Sequence, residues 1–123
     1  MKRQRRDPSA DVLLDLDGQV LVVDSKGEYW VRFSVSLVAS TRERPHGLRY
    51  SLTLHGPDGG RLVGFDNAHS VRASQSPGGK GRGGYDHKHR FQTIRPYQFK
   101  DPASLLEDFW AEVDSVLKQK GVI

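Results

Sequence analysis

Two histidines separated by one residue, His87 and His89, are the side chains of this sequence best suited to chemistry. In a β-strand alternate side chains point to the same face, so the two imidazoles would lie side by side, about 6–7 Å apart at the backbone. Imidazole exchanges protons near neutral pH, and a positioned acid or base accelerates a reaction by roughly 10²–10⁴-fold. One imidazole could take the proton of a ribose 2′-hydroxyl during RNA cleavage while a second group protonates the leaving oxygen.

Two other interpretations of this histidine pair stay open. The imidazoles could bind a metal ion, but a metal site needs at least one further ligand. The candidates for that ligand are Asp66, Asp86 and His69. The imidazoles could also pack as inert side chains beside the neighbouring aromatic residues. Because the chain has no cysteine and no glutamate close to the pair, we favour acid–base catalysis that needs no metal and no cofactor.

Positively charged residues surround the pair. Between Ala68 and Arg90 five lysines and arginines stand against one aspartate, a formal charge of +4. Such basic patches usually bind a polyanion, most often nucleic acid. Arg90, Lys88 or the cations of the glycine-rich segment could stabilise the phosphorane charge. We predict that Arg90 is a catalytic residue, and that Lys80, Arg82 and Lys88 bind the substrate.

An Asp66-Asn67 pair precedes the glycine-rich segment that leads to the histidines. Such a pair often begins a turn by bonding to the backbone beyond it. If the strands on either side of the segment are neighbours, the pair and the histidines should lie at the same sheet edge. Asp66 could then orient an imidazole, as carboxylates commonly do, and would be part of the catalytic site. Asn67 is predicted to contact the substrate.

The hydrophobic pattern predicts the sheet that holds these residues. Apolar and polar residues alternate over 29–37 and over 48–55, and a Gly-Pro-Asp-Gly-Gly turn leads into an antiparallel strand over 61–67. The short apolar runs 12–16 and 20–23 flank Asp17-Gly18, which we interpret as a tight turn between two strands. His46 and His55, beside turns, are predicted to be solvated.

One helix is predicted near the C-terminus. Asp101 is a suitable N-cap, Pro102 suits the first helical position, and Gly121 is suited to end the helix. Between them, apolar residues recur on one helical face. We find no second amphipathic helix, which argues against a helix-turn-helix DNA-binding protein. The predicted fold class is α+β, an antiparallel β-sheet of about five to six strands with one long C-terminal helix packed on it.

At 123 residues the chain is expected to form one domain. We predict a disordered basic tail over residues 1–10 and a single α+β domain over 11–120, with a flexible glycine-rich basic loop at 68–84. The absence of cysteine excludes disulfides and thiolate chemistry. No apolar run approaches the length of a membrane helix, and the N-terminus does not look like a signal peptide. We therefore expect a cytoplasmic protein without a membrane partner.

Five blocks of sequence, taken in order, resemble the TumE-like toxin family of bacterial type II toxin–antitoxin modules. They are Arg49–Leu52, Val63–His69, Asp86–His89, Pro96–Phe99 and Leu105–Phe109. The resemblance spans about residues 28–117. The chain departs from shorter members in its basic N-terminal tail and in the 18 residues that separate Asn67 from Asp86. The resemblance implies a toxin that a cognate protein antitoxin neutralises, but no catalytic assignment.

The predicted function is that of a toxin acting on RNA through metal-independent, ribonuclease-like cleavage at the His87/His89 block. The alternative is a non-catalytic nucleic-acid-binding or regulatory protein whose basic loop grips phosphate; its affinity would fall gradually with added salt. The expected partners are the antitoxin and RNA. The sequence leaves open whether the chain forms a homo-oligomer.

Overall fold

The structure, a computed structural model, describes residues 8–42, 44–67 and 86–123. Residues 1–7 of the predicted basic tail and the whole of the predicted flexible loop at 68–84, including Lys80 and Arg82, lie outside these ranges. The described elements are two helices and six strands: α1 Ser9–Asp15, β1 Val20–Val22, β2 Trp30–Leu37, β3 Leu48–His55, β4 Arg61–Asp66, β5 His87–Arg90, β6 Thr93–Pro96 and α2 Pro102–Gln119.

The six strands form one antiparallel sheet in which each strand pairs with the next in the chain, in the order β1-β2-β3-β4-β5-β6. The β3–β4 turn contains Gly59, whose φ of +83° explains why glycine stands there. The predicted fold class, an antiparallel sheet with a long C-terminal helix, is confirmed.

The hydrophobic core lies between one face of this sheet and the two helices. The sheet contributes alternate residues of β2, β3 and β4, and α2 contributes residues at helical spacing. At the centre, the Phe109 ring meets Phe33 and Phe65 edge-on, at centroid distances of 5.8 and 6.1 Å. We call the opposite side of the sheet the open face.

The limits of α2 agree with the prediction. The Asp101 carboxylate accepts a hydrogen bond of 2.7 Å from the Ser104 amide, and Pro102 begins the helix. Just past the C-terminal end, Gly121 has a φ of +75°. No helix among the described residues is long and apolar enough to span a membrane.

Residues 12–15 of the apolar run 12–16 belong to helix α1 and Leu16 caps it, so the prediction of a strand there was wrong, as was the prediction of a single helix. Ala10 and Leu13 are buried three residues apart, whereas Val12 between them is 59% exposed. This is helical spacing, and the helix packs against α2 and β2. A run of five residues is too short to distinguish the periodicity of a helix from that of a strand, so packing against the rest of the protein decides its structure.

Candidate active site

The Asp66-Asn67 pair and the histidine block lie on neighbouring strands, as the site prediction required. In the β4–β5 pairing Asp66 is opposite His87, and Gly64 is opposite His89. Residues two apart on a strand share a face. Asp66, His87 and His89 therefore lie together on the open face of the sheet.

The Asp66 carboxylate lies between the two imidazoles. Its Oδ1 is 2.9 Å from His87 Nε2, and its Oδ2 is 3.4 Å from His89 Nε2. The imidazole centroids are 4.9 Å apart, with the ring planes at 77°. Oδ1 is buried and, although close to His87, receives no hydrogen bond of regular geometry in the described part of the chain. Because all three were predicted to be catalytic residues, we call Asp66, His87 and His89 the catalytic cluster.

Arg61 adds a positive charge beside this cluster. Its Nη2 lies 3.1 Å from His89 Nδ1. Arginine only donates hydrogen bonds, so His89 Nδ1 is the acceptor and the proton of the neutral ring is on Nε2, towards Asp66. Burial lowers the pKa of His89 below its ordinary value of 6.5, and the Arg61 charge lowers it further against the opposing effect of Asp66. His89 is thus a neutral imidazole at neutral pH.

A β-bulge brings Arg61 to the open face. The register between β3 and β4 shifts so that Leu54 pairs with Val63 while His55 pairs with Arg61. The extra residue, Leu62, packs against the core. Bulges commonly redirect a side chain in this way. Simple alternation from Val63 would instead have directed Arg61 toward the helices.

Gly64 provides the space that Arg61 occupies. A Cβ atom at this position would lie 3.1 Å from Arg61 Cδ and 3.6 Å from His89 Cδ2. The backbone of Gly64 is not in the left-handed region, so an alanine would be tolerated by the main chain. The requirement for glycine is therefore steric and concerns Arg61.

We expect Gly64→Ala to raise the pKa of His89, because it displaces the guanidinium that opposes protonation of this ring. An NMR titration of the imidazole resonances measures the change. Arg61→Gln is the matched control and should move the pKa in the same direction. The pKa of His89 in the variant that carries both substitutions should differ little from its pKa in either single variant. An unchanged His89 pKa in both single variants would contradict the Arg61 contact.

The ligand atoms of the catalytic cluster all lie within 4.8 Å of one another, a spacing that a metal ion could bridge. The tautomer set by Arg61 puts the His89 proton on Nε2, the nitrogen that faces Asp66. A metal at this position would need that nitrogen deprotonated. The observed hydrogen bonding therefore suits proton transfer better than metal ligation.

Asn67 fixes the end of β4. Its side chain is fully buried; Oδ1 accepts from the Tyr50 amide at 2.9 Å and Nδ2 donates to the Leu48 carbonyl at 2.8 Å. The Arg44 guanidinium donates to the Asn67 carbonyl at 2.8 and 3.1 Å. These contacts hold the residue next to Asp66, so we assign Asn67 a positioning role in place of the predicted contact with substrate.

Lys88 and Arg90 lie on the helix side of the sheet, away from the catalytic cluster. Lys88 Nζ is 3.6 Å from Glu112, and Arg90 donates to the same carboxylate at 2.8 Å. Arg90 also bonds to Ser115 and Gln119. Because side chains alternate along a strand, His87 and His89 share one face, and Lys88 and Arg90 point to the other face, toward α2. The structure brings three predicted catalytic residues together and places Arg90 apart.

His46 is in a polar network, so the prediction that it is solvated was wrong. The Leu48 amide donates to its Nδ1, which puts the ring proton on Nε2, 3.1 Å from Asp86 Oδ2. The Tyr50 hydroxyl donates to the same Asp86 oxygen at 2.8 Å. Burial, and then this carboxylate, raise the pKa of Tyr50. The network holds Asp86, the residue immediately before His87.

The sequence analysis also missed a depression of about 650 Å³ on the open face. It begins at Arg61, which contacts the catalytic cluster, and continues across β2 and β3. The polar residues that alternate with apolar ones in these strands indicate a solvent-facing side of the sheet, but they do not indicate a depression on it. The other lining residues are Arg32, Ser34, Ser51, Thr53, His55 and Phe91.

Comparison with known families decides what kind of protein contains this arrangement. The family model described as Toxin TumE matches residues 13–117. The chain belongs to this TumE toxin family. Comparisons with curated proteins and with solved structures found no significant match. Family membership assigns a toxin role and, in general terms, an antitoxin partner. The matched residues include the whole catalytic cluster.

Proposed function

We propose that this TumE toxin cleaves RNA without a metal ion, using the catalytic cluster for acid–base chemistry. The observation that supports this most strongly is the placement of the Asp66 carboxylate between two imidazoles on the open face. A cation, Arg61, contacts one of the imidazoles. A base, an acid and a phosphate-binding cation are the groups that attack by a 2′-hydroxyl requires.

In the proposed mechanism His89 is the general base. A phosphate of the substrate attracts the Arg61 guanidinium and frees His89 Nδ1, which then accepts the 2′-hydroxyl proton. The 2′-oxygen attacks the adjacent phosphorus, and the bond to the 5′-oxygen breaks. His87 donates a proton to that leaving oxygen, and Asp66 stabilises each imidazole in its charged form. Arg61 stabilises the charge on the phosphorane, a role for which Arg90 was one candidate in the sequence analysis.

The pH dependence of cleavage should reveal the base. Within the described elements the charged and titratable groups around His89 are Asp66, Arg61 and His87, and the net effect with burial lowers its pKa. Since kcat/KM reports the free enzyme, we expect its acidic limb below pH 6.5, the ordinary His value. Arg61→Gln should move this limb to higher pH. A limb above pH 6.5 in the wild type would contradict the assignment of His89 as base.

Expression in bacteria tests whether this cluster causes toxicity. We expect the wild type to arrest growth and co-expression of its genetic neighbour, the proposed antitoxin, to relieve the arrest. Asp66→Asn should abolish the arrest at equal soluble expression, because the amide cannot stabilise an imidazolium as a carboxylate does. Gln92→Ala, on the exposed β5–β6 turn, is the control and should remain toxic. Unimpaired growth with abundant wild-type protein, in the source organism and in a surrogate host, would contradict the proposal.

One observation also favours the alternative, a non-catalytic nucleic-acid-binding protein: the depression contains two arginines, Arg32 and Arg61. A protein that only grips phosphate would keep its effect without the imidazoles. Its affinity would fall stepwise as each cation is removed and as salt is added. Toxicity that survives loss of His89 but disappears with Arg32 and Arg61 would support this alternative.

A further inference from the structure

We propose that the depression on the open face binds one nucleotide of single-stranded RNA, with its phosphate on Arg32 and Arg61 and its base stacked on the ring of Phe91. This inference rests on the proposed action on RNA and names the form of RNA and the residues that hold it. It makes Phe91 a substrate-binding residue.

The conformation of Phe91 is the first argument. It stands in the two-residue turn between β5 and β6 with a φ of +54°, and among the described residues other than glycine it alone has positive φ. A left-handed conformation costs a residue with a side chain about 1–2 kcal/mol. Glycine or asparagine normally fills such a position. An aromatic residue there indicates that contacts of the ring offset this cost; one side of the ring packs against the core, and the ring also lines the depression.

The surroundings of the ring are the second argument. Phe91 is half-buried and lines the depression together with the two arginines. On the helix side of the sheet the ring also contacts the core, and there Lys120 Nζ and the Arg90 guanidinium each lie 5.9 Å from its centroid. Proteins that bind single strands combine cations along the backbone path with aromatic rings for the bases. The depression offers this combination, with Arg32 and Arg61 as the cations and Phe91 as the ring.

The third argument concerns the position of the phosphate. Arg61 lines the depression and also contacts His89, so a phosphate that it binds lies beside the proposed base. Ser51 and Thr53 line the same depression and offer hydroxyl groups to the sugar or phosphate. A single nucleotide fits such a depression on a sheet, whereas duplex RNA is recognised over many base pairs by its shape. The geometry therefore favours an unpaired strand.

The experiment measures RNA affinity by fluorescence anisotropy on full-length protein carrying His89→Ala, which under the proposed mechanism cleaves roughly 10²–10⁴-fold more slowly than the wild type. The probes are a labelled ten-nucleotide single strand and the matching duplex. Phe91→Asn removes the ring but suits positive φ. Arg32→Gln removes one phosphate contact. Arg49→Gln is the matched control, because Arg49 is exposed on the open face of β3 outside the depression.

We expect Phe91→Asn to weaken single-strand binding by roughly tenfold, since stacking on an aromatic ring contributes about 1–3 kcal/mol per base. Its melting temperature should change only modestly, because relief of the strain at φ +54° opposes the loss of the ring's partial packing against the core. Arg32→Gln should also weaken binding, Arg49→Gln should change it less, and the duplex should bind less tightly than the single strand. Unchanged single-strand affinity in both Phe91→Asn and Arg32→Gln would overturn the inference, as would tighter binding of the duplex.

The two proposals fail in different ways. If His89→Ala protein binds the single strand through Phe91 but the wild type cleaves no RNA, the binding site stands and the catalytic proposal is wrong. If the wild type cleaves RNA and Phe91→Asn changes only its stability, Phe91 is a structural residue and this inference alone is overturned.

Discussion

His89→Ala is expected to slow RNA cleavage by roughly 10²–10⁴-fold, the usual contribution of a general acid or base. The free energy of unfolding should change by less than about 1 kcal/mol, because the side chain, although only 14% exposed, contacts Arg61 and Asp66 on the open face and lies outside the hydrophobic core. Cleavage rates at saturating RNA and urea denaturation of the same preparation measure the two effects.

His55→Ala is the matched control for this change at saturating RNA, because His55 is another imidazole of the open face that lines the depression but stacks on Trp30, at a centroid distance of 5.6 Å, and does not contact the catalytic cluster. It should retain a cleavage rate well above that of His89→Ala. His87→Gln, which retains a polar side chain at a buried position, should lose activity as His89→Ala does. A stable His89→Ala protein that cleaves at the wild-type rate would remove this residue from the mechanism.

Asn67→Ala is expected to lower the free energy of unfolding by about 2–5 kcal/mol, since it leaves the Tyr50 amide and the Leu48 carbonyl without their buried partner. Toxicity should then fall only as folded protein is lost, and should recover at lower temperature. Gln92→Ala deletes an amide from an exposed position and should change stability by less than about 0.5 kcal/mol. An Asn67→Ala protein as stable as the wild type would show that this residue does not anchor β4.

These two substitutions separate chemistry from positioning at the same sheet edge. His89 lies on the open face and contacts Arg61, whereas Asn67 is fully buried and bonded to the backbone of β3. Loss of activity without loss of stability indicates a group that acts on substrate. Loss of both together indicates a residue that holds others in place.

Much of the candidate site could be predicted from alternation alone. A period of two places His87 beside His89, and the return of the chain in an antiparallel strand brings Asp66 next to them. The same rule, applied one residue further, would have directed Lys88 and Arg90 to the other face. The prediction that Lys88 and Arg90 act on the substrate was based on their positive charge and did not take their position on the strand into account.

The role of Arg61 could not be read from the sequence, because it depends on two tertiary features. A bulge opposite Leu54 and His55 reverses the face on which Arg61 lies, and the missing side chain of Gly64 leaves room for it. Helix α1 was missed for a related reason: burial of Ala10 and Leu13 against the rest of the core selects the helix from an ambiguous apolar run. The position of Arg61 and the helical structure of α1 both depend on packing between segments that are far apart in the chain.

The most direct test of the central claim is cleavage of a short defined RNA by the purified toxin in the presence of EDTA. The proposed mechanism predicts cleavage that leaves a 2′,3′-cyclic phosphate, and no cleavage when the nucleotide on the 5′ side of the cleaved bond carries a 2′-deoxyribose. It also predicts that the His89→Ala and Asp66→Asn proteins leave most of the RNA intact over the time in which the wild type cleaves it. Cleavage that continues on the deoxy-substituted strand, or that requires a divalent metal, would contradict the account, as would intact RNA with a wild-type protein that arrests growth.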